Sequence, residues 1–288
     1  MNKRFLVRGL LALVTAGILV AAPQAQQAAP AAGAAPVAKQ PRVKSQAEGQ
    51  ALQAMFQAAD PDARLKAAEE FIAKFADSEF KSFTLMLAAE TYRQKNDYEH
   101  TVIYGERTLE ADPQNYMAML LLASTISQRT REFDLDREEK LGRSEKYAKA
   151  ALELLKTAPK PRPDVTDEQW TQAKAEFTAQ GHEAMALAAM VRKNYPAAIE
   201  EFKTALASVG TPDPATQVRL GAAYNLAGKY DDAITVLSKV METPEVHPQI
   251  RQVAQAERAR AMQAKGGAAK PAAAPAPATP AAPAAPKP

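Results

Sequence analysis

A chain of 288 residues is long enough for one or two domains. It is 47% hydrophobic but only 6% aromatic, with alanine dominant, which favours helix over sheet because strands select β-branched and aromatic residues. With no cysteine, disulfides, thiolate catalysis, cysteine metal sites and lipid anchoring through cysteine are all excluded, and a formal net charge of +3 gives no basic excess for nucleic acid.

Residues 1–25 have the layout of a secretory signal. Lys3, Arg4 and Arg8 precede an apolar run of about 14 residues ending at Ala22, short of the ~20 a membrane-spanning helix takes. Pro23 hinders cutting after Ala22, so cleavage is expected after Ala25 or a little later, with an uncleaved anchor as the alternative and the only expected membrane contact. Loss of the three leader cations takes the basic count from 36 to 33 against 33 acidic residues, leaving a near-neutral mature chain. The leader implies export, and with the Ala/Pro ends it points to a bacterial periplasm. Residues 26–44 lack an apolar face, are broken by proline and read as a disordered linker.

Helical periodicity begins at Ser45, with Leu52, Met55 and Phe56 on one face. Asp60-Pro61 marks the next helix start, Asp60 as N-cap and Pro61 in the first turn. Ala67, Ala68, Phe71, Ile72 and Phe75 then follow at helical spacing. This hairpin is expected to cap the array or to be a diverged unit of it. Residues 82–115 form a helical hairpin through Ala88-Ala89, Tyr92 and Asp97-Tyr98. Thr101, Gly105 and Thr108 replace favoured residues, so this copy of the pattern is looser. From Tyr116 through Leu122-Ala123 to Ala151-Leu152 comes a degenerate copy with extra residues around Thr130–Asp136, where Phe133 stands one position late.

The run Pro159–Pro163 cannot be helical. Thr166 and Gln169 then form a capping-box pattern that starts an unusually long helix, to about Arg192. Trp170 and Phe177 lie two turns apart on it, either plugging an irregular joint or forming an exposed edge. A hairpin over 179–212 carries Met185, Ala186 and Ala189, then Tyr195-Pro196-Ala197-Ala198-Ile199, Phe202 and Ala205-Leu206. Another over 214–247 starts at Asp213-Pro214. It reads Leu220-Gly221-Ala222-Ala223-Tyr224, Gly228 at the turn, then Tyr230 and Ala233. Gly221 and Ala233 are small where two helices must approach closely. A last helix, from about Pro248 to Gln263, has Ile250, Val253, Ala254 and Ala261 on its apolar side and suits a solvating cap. Residues 265–288 read as a disordered Ala/Pro tail.

The recurring offsets resemble the tetratricopeptide repeat (TPR), a unit of about 34 residues with the pattern W-x2-L-G-x2-Y, A, F, P. Leu220, Gly221, Tyr224 and Ala233 match it best, and the resemblance covers roughly residues 82–245. It implies an all-α solenoid of helical hairpins over 45–264. It also implies a groove lined by the first helix of each unit, holding a helix or extended peptide. Carried across residue by residue, the groove positions are Met86, Glu90 and Arg93, then Leu120, Ser124 and Ser127. Glu183, Leu187 and Met190 follow, then Val218, Ala222 and Asn225. Relatives that clamp a terminal carboxylate use Lys and Asn, but here only Asn225 is present at the matching positions.

No catalytic constellation is legible, and no cofactor, metal site or small-molecule substrate is implied. His182-Glu183 begins like a zinc-protease motif, but Ala186 stands where the second histidine is needed. Adjacent acidic pairs such as Glu138-Glu139 and Glu200-Glu201 diverge around a helix rather than converging as an acid/base pair. The expectation is a non-enzymatic interaction scaffold. Its alternatives are a homo-oligomer whose repeats pack on each other, and an accessory subunit of an envelope enzyme or assembly complex. A groove filled by the chain's own first or last helix is also left open.

Overall fold

The computed structural model describes residues 36–268. The leader at 1–25 and most of the predicted tail lie outside the described residues. An N-terminal hairpin pairs α1 (Gln46–Gln57) with α2 (Pro61–Lys74). Four more hairpins follow: α3 (Lys81–Gln94) with α4 (Tyr98–Ala111), α5 (Tyr116–Arg129) with α6 (Arg137–Thr157), α7 (Asp167–Val191) with α8 (Tyr195–Ser208), and α9 (Pro214–Leu226) with α10 (Tyr230–Glu242). The last helix, α11 (Pro248–Ala268), packs on α9 and α10. Consecutive helices pack against each other along the described residues, as an all-α, TPR-like solenoid requires.

The helix starts are set by side chains. Asp60 accepts from the Ala63 amide at 2.9 Å, Asp97 from His100 at 3.1 Å, Asn115 from Ala118 at 3.0 Å and Asp213 from Thr216 at 2.9 Å. Both halves of the Thr166–Gln169 capping box form.

Three hairpins share one turn. Asn96, Lys193 and Gly228 adopt φ of 59°, 60° and 72°, and the residue after each donates its amide to a carbonyl five residues back. These bonds are Asp97 to Tyr92, Asn194 to Ala189 and Lys229 to Tyr224, each 2.9 Å. This left-handed ending satisfies carbonyls that a helix end otherwise leaves bare. Tyr98, Tyr195 and Tyr230 then open the three second helices. The recurrent turn is therefore a property of the backbone as well as of the residue pattern.

The second hairpin lacks that turn and uses the longer loop at 130–136. Its second helix, α6, has 21 residues, and α7, which opens the next hairpin, has 25, against 14 in α5. The extra length has a packing reason. Trp170, Ala173 and Phe177 are buried against Leu120, Ala151, Leu155 and Val165, filling the space beneath the proline loop. Trp170 Nε1 donates to the Ala158 carbonyl at 3.2 Å, and Phe177 meets Tyr116 edge-on at 5.5 Å. Burial pushes the Tyr116 phenol up to about 12. Of the two expectations for Trp170 and Phe177, the plug holds and the exposed edge does not.

The 82–115 hairpin, looser in its residue pattern, packs closely, and three other expectations change. Gly105 brings α4 so close to α5 that an added Cβ would lie 2.8 Å from Leu122, and buried Thr101 and Thr108 return their hydroxyls to their own helix. Residues 36–44 of the expected disordered linker are ordered as a strap. Ala38 N–H donates to the Lys160 carbonyl at 2.8 Å and Lys160 N–H to the Pro36 carbonyl at 2.7 Å. Gln40 reaches the Pro161 carbonyl at 2.7 Å, and Arg42 N–H donates to Glu79 at 3.1 Å. A proline loop leaves backbone groups without helical partners, and an extended segment satisfies them. Val253, expected on the apolar side of the last helix, is half exposed, while Ala254 and Ala261 are buried. Finally, α11 runs past Gln263 to Ala268.

The strap ends at a buried carboxylate. Glu48, 2% exposed, accepts from the Lys44 amide and from Ser78 Oγ, tying the strap, α1 and the α2–α3 turn together. Glu69 does the same for the next joint. It accepts from the Tyr92 hydroxyl at 3.2 Å and the Tyr104 hydroxyl at 3.0 Å, joining α2 to α3 and α4.

Glycine packing gives a signed test. A Cβ on Gly221 would lie 2.6 Å from both Cγ and Cδ2 of fully buried Leu237, so Gly221→Ala should destabilise by roughly 1–3 kcal/mol from overpacking. Gly142, in α6, has nothing within 4 Å of its added Cβ, so Gly142→Ala should stabilise by roughly 0.5–1 kcal/mol. Urea unfolding of both variants checks the two signs.

Candidate protein-binding face

The first helices of the hairpins, α3, α5, α7 and α9, carry the twelve positions that the TPR resemblance nominates. The structure divides them. Met86, Leu120, Ser127, Val218 and Asn225 are buried. Glu90, Ser124, Glu183, Leu187, Met190 and Ala222 are half-buried, and Arg93 is exposed.

Four of the buried set pack against neighbouring helices, and Ser127 bonds within its own. Met86 sits in the N-terminal core with Leu85, Ala89 and Leu121. Leu120 Cδ2 lies 3.4 Å from where a Cβ on Gly181 would be, in the seam between α5 and α7. Ser127 donates to the Ser124 carbonyl at 3.2 Å, and Val218 belongs to the core that α9 and α10 share with α11. Asn225 Nδ2 donates to the Glu257 carbonyl at 2.9 Å and to its carboxylate at 2.8 Å. The residue that matches the family's carboxylate clamp is thus engaged by the chain's own last helix. The structure thus leaves these five nominated positions buried rather than open to a groove.

The accessible set is concentrated on α7. Leu187 and Met190 lie at the margin of a core built from Ala186, Ala189, Ala198, Ile199, Phe202, Leu220 and Ala223. Their flank is fixed by charge. Glu183 accepts from Arg219 and from Thr216, the latter at 3.3 Å, which bridges α7 to α9. At the other end of the face, Arg93 pairs with Glu90 one turn back, and that carboxylate raises the Arg93 pKa above its usual value. The Asn115 side chain donates to Ser82 Oγ at 3.2 Å and links the starts of α3 and α5. The face therefore offers adaptable apolar side chains between ion pairs that are already set.

Sequence reasoning missed Arg219, which lies next to Val218 and takes the cross-helix contact. The helical offset from Glu183 carried no signal for it, because the partner is on another helix. His182 Nδ1 lies 2.7 Å from the Glu201 carboxylate and joins α7 to α8. Glu138 is turned the other way, to Arg192 at 2.8 Å.

No protein-family model matches the chain, and no curated protein does. Among solved structures, it is similar to the thermophilic TPR protein TTC0263 of Thermus thermophilus, at 19% identity, over 73% of this chain and 98% of that one, with a TM-score of 0.48. A MamA structure matches at 18% identity over 68% of this chain and 99% of that chain, with a TM-score of 0.42. Residues 1–338 of Acl4, an assembly chaperone of RpL4, match at 12% identity over 77% of this chain and 97% of that one, with a TM-score of 0.41.

The hold of Asn225 on α11 can be measured. Replacing it with Ala removes two hydrogen bonds, one to a charged group, each of which contributes on the order of 1 kcal/mol or more. Amide exchange across 248–268 should accelerate while α3 and α4 keep their protection. Unchanged exchange in α11 would show that its cap rests on apolar contacts alone.

Proposed function

We propose that this solenoid is a non-enzymatic protein-interaction scaffold that receives a helix or an extended segment of another protein across α7 and α9. One observation carries the reading. Leu187 and Met190 remain half-buried at the margin of a rigid core, while Glu183 and Arg219 are already paired beside them. Completing the burial of two side chains that are already mostly covered contributes a fraction, about a third or less, of the ~1.5–3 kcal/mol that full burial of each represents. The unbranched, polarisable methionine adapts to the partner's shape. The ordered flank restricts the approach without having to be ordered by the ligand.

The chain's last helix supports an external occupant rather than a self-filled face. Helix α11 packs on α9 and α10 and takes up Asn225, at the end of the array, leaving Leu187 and Met190 accessible. The leader's charged start and short apolar run support export, and with it a role in the bacterial envelope, either as an adaptor or as the holding subunit of an assembly.

Leu187→Glu combined with Met190→Glu tests this reading. Partner capture from an envelope fraction should fall at least about tenfold, the ratio that ~1.4 kcal/mol represents. Far-UV circular dichroism and the melting curve should retain the parent's cooperative helical transition. A folded double variant that captures the same proteins in the same amounts would remove α7 from the binding face.

A further inference from the structure

Helices α2 and α4 both pack on α3, and the space between them is a cleft of about 270 Å3. Glu69, Ile72 and Ala73 of α2 line one side, and Tyr104 and Arg107 of α4 the other. Sites for drug-sized ligands run to about 300–1,000 Å3, so this cleft suits a smaller guest.

Its charges are what set it apart. Charged side chains around it pair with one another: Arg93 with Glu90, Lys95 with Asp62 and Arg143 with Glu106. Glu69 and Arg107 line one cleft, yet among the described residues neither has an ion-pair partner. Tyr104 accounts for their separation. Its ring carries the Arg107 guanidinium 4.8 Å from the centroid, while its hydroxyl, at the edge of the ring, donates to Glu69 at 3.0 Å. Burial raises the Tyr104 phenol above its ordinary value and the Glu69 carboxylate adds to that, so the hydroxyl remains a donor near neutral pH. The Tyr92 hydroxyl donates to the same oxygen of Glu69, Oε1, which leaves Oε2 for a guest. Cation and anion are thus both positioned and held farther apart than the ~4 Å of an ion pair.

A guest that satisfies both ends must carry one charge of each sign a few bonds apart, with a small apolar part for Ile72 and Ala73. A free α-amino acid does so. A residue within a polypeptide does not, because its amino and carboxyl groups are spent in peptide bonds. We propose that the α2–α4 cleft binds a small free α-amino acid as its zwitterion, the carboxylate on the Arg107 guanidinium, the ammonium on Glu69 Oε2 and the aliphatic side chain over Ile72 and Ala73. Guanidinium presents the paired donors that a carboxylate fits. Because Tyr104 already orders both charges, little ordering is left to the ligand. The cleft belongs to the first two hairpins, whereas Leu187 and Met190 lie on α7, so the site stands independently of the protein-binding face.

The test is a heteronuclear NMR titration of the full chain with L-alanine. Amide shifts should saturate and concentrate at 69–73 and 104–107. Propionate and ethylammonium each keep one charged end of alanine and should bind at least about tenfold more weakly, because a hydrogen bond to a charged group represents that ratio or more. Glu69→Gln keeps an oxygen acceptor for both phenols and removes only the charge. It and Arg107→Gln should each weaken alanine binding by a similar factor with melting unchanged. The two variants remove opposite ends of the contact, so each is a check by itself. Absence of a saturable shift, shifts centred elsewhere, propionate or ethylammonium binding as tightly as alanine, or variants that bind alanine like the parent would each overturn the proposal.

Discussion

The structure depends on continuity at one irregular joint. A helical-hairpin array is stable only while every unit buries its apolar face on the next, and the proline run at 159–163 interrupts that succession. Trp170 and Phe177 restore it. By extending α7 toward its N-terminus, the chain gains two large rings that fill the space under the loop, one tied to the Ala158 carbonyl and the other set against Tyr116. The strap at 36–44 closes the same loop from outside by pairing with Lys160. The hairpins on either side of the joint thus share one packed body, and α7 can serve both as the joint's core and, further along, as the accessible helix of the binding face.

Turn geometry then decides where the face is regular and where it is not. Asn96, Lys193 and Gly228 give three hairpins the same left-handed reversal, so α3, α7 and α9 each meet their partners in the same way. The second hairpin has no such reversal, and the helices on either side of the proline run, α6 and α7, are longer than α5 and α8. The consequence is two kinds of surface on one scaffold: a face of half-buried apolar side chains between fixed ion pairs, and a loop at 130–136 that exposes Phe133 and Leu135. Both follow from the same departure from regularity.

Helix number, caps and hairpin pairing were legible in the sequence because they rest on local rules. Asp-Pro starts, the Thr166–Gln169 box and the offsets of Ala and Tyr act within a few residues, and the structure reproduces them. Contacts between distant segments were not legible. The strap carries no periodic signal, since an extended segment that pairs with a proline loop looks like any other polar linker. Among the twelve nominated face positions, the family pattern specified the helix and its facing, but the neighbours' packing decides exposure. Met86, Leu120, Ser127, Val218 and Asn225 are buried, while Arg219 takes a cross-helix contact with Glu183. Gly105 shows the reverse: an unfavoured residue in the pattern is what lets Leu122 approach.

The central claim is that the α7 face takes a segment of another protein while the chain's own helices leave it open. In-cell photo-crosslinking from a probe at position 190, followed by mass spectrometry of the adduct, tests it most directly. A discrete adduct with one heterologous protein, mapped to a single helix or extended segment of that partner, is the expected result. An adduct confined to the chain itself, within one copy or between two, would contradict the claim and place the face inside the molecule's own architecture.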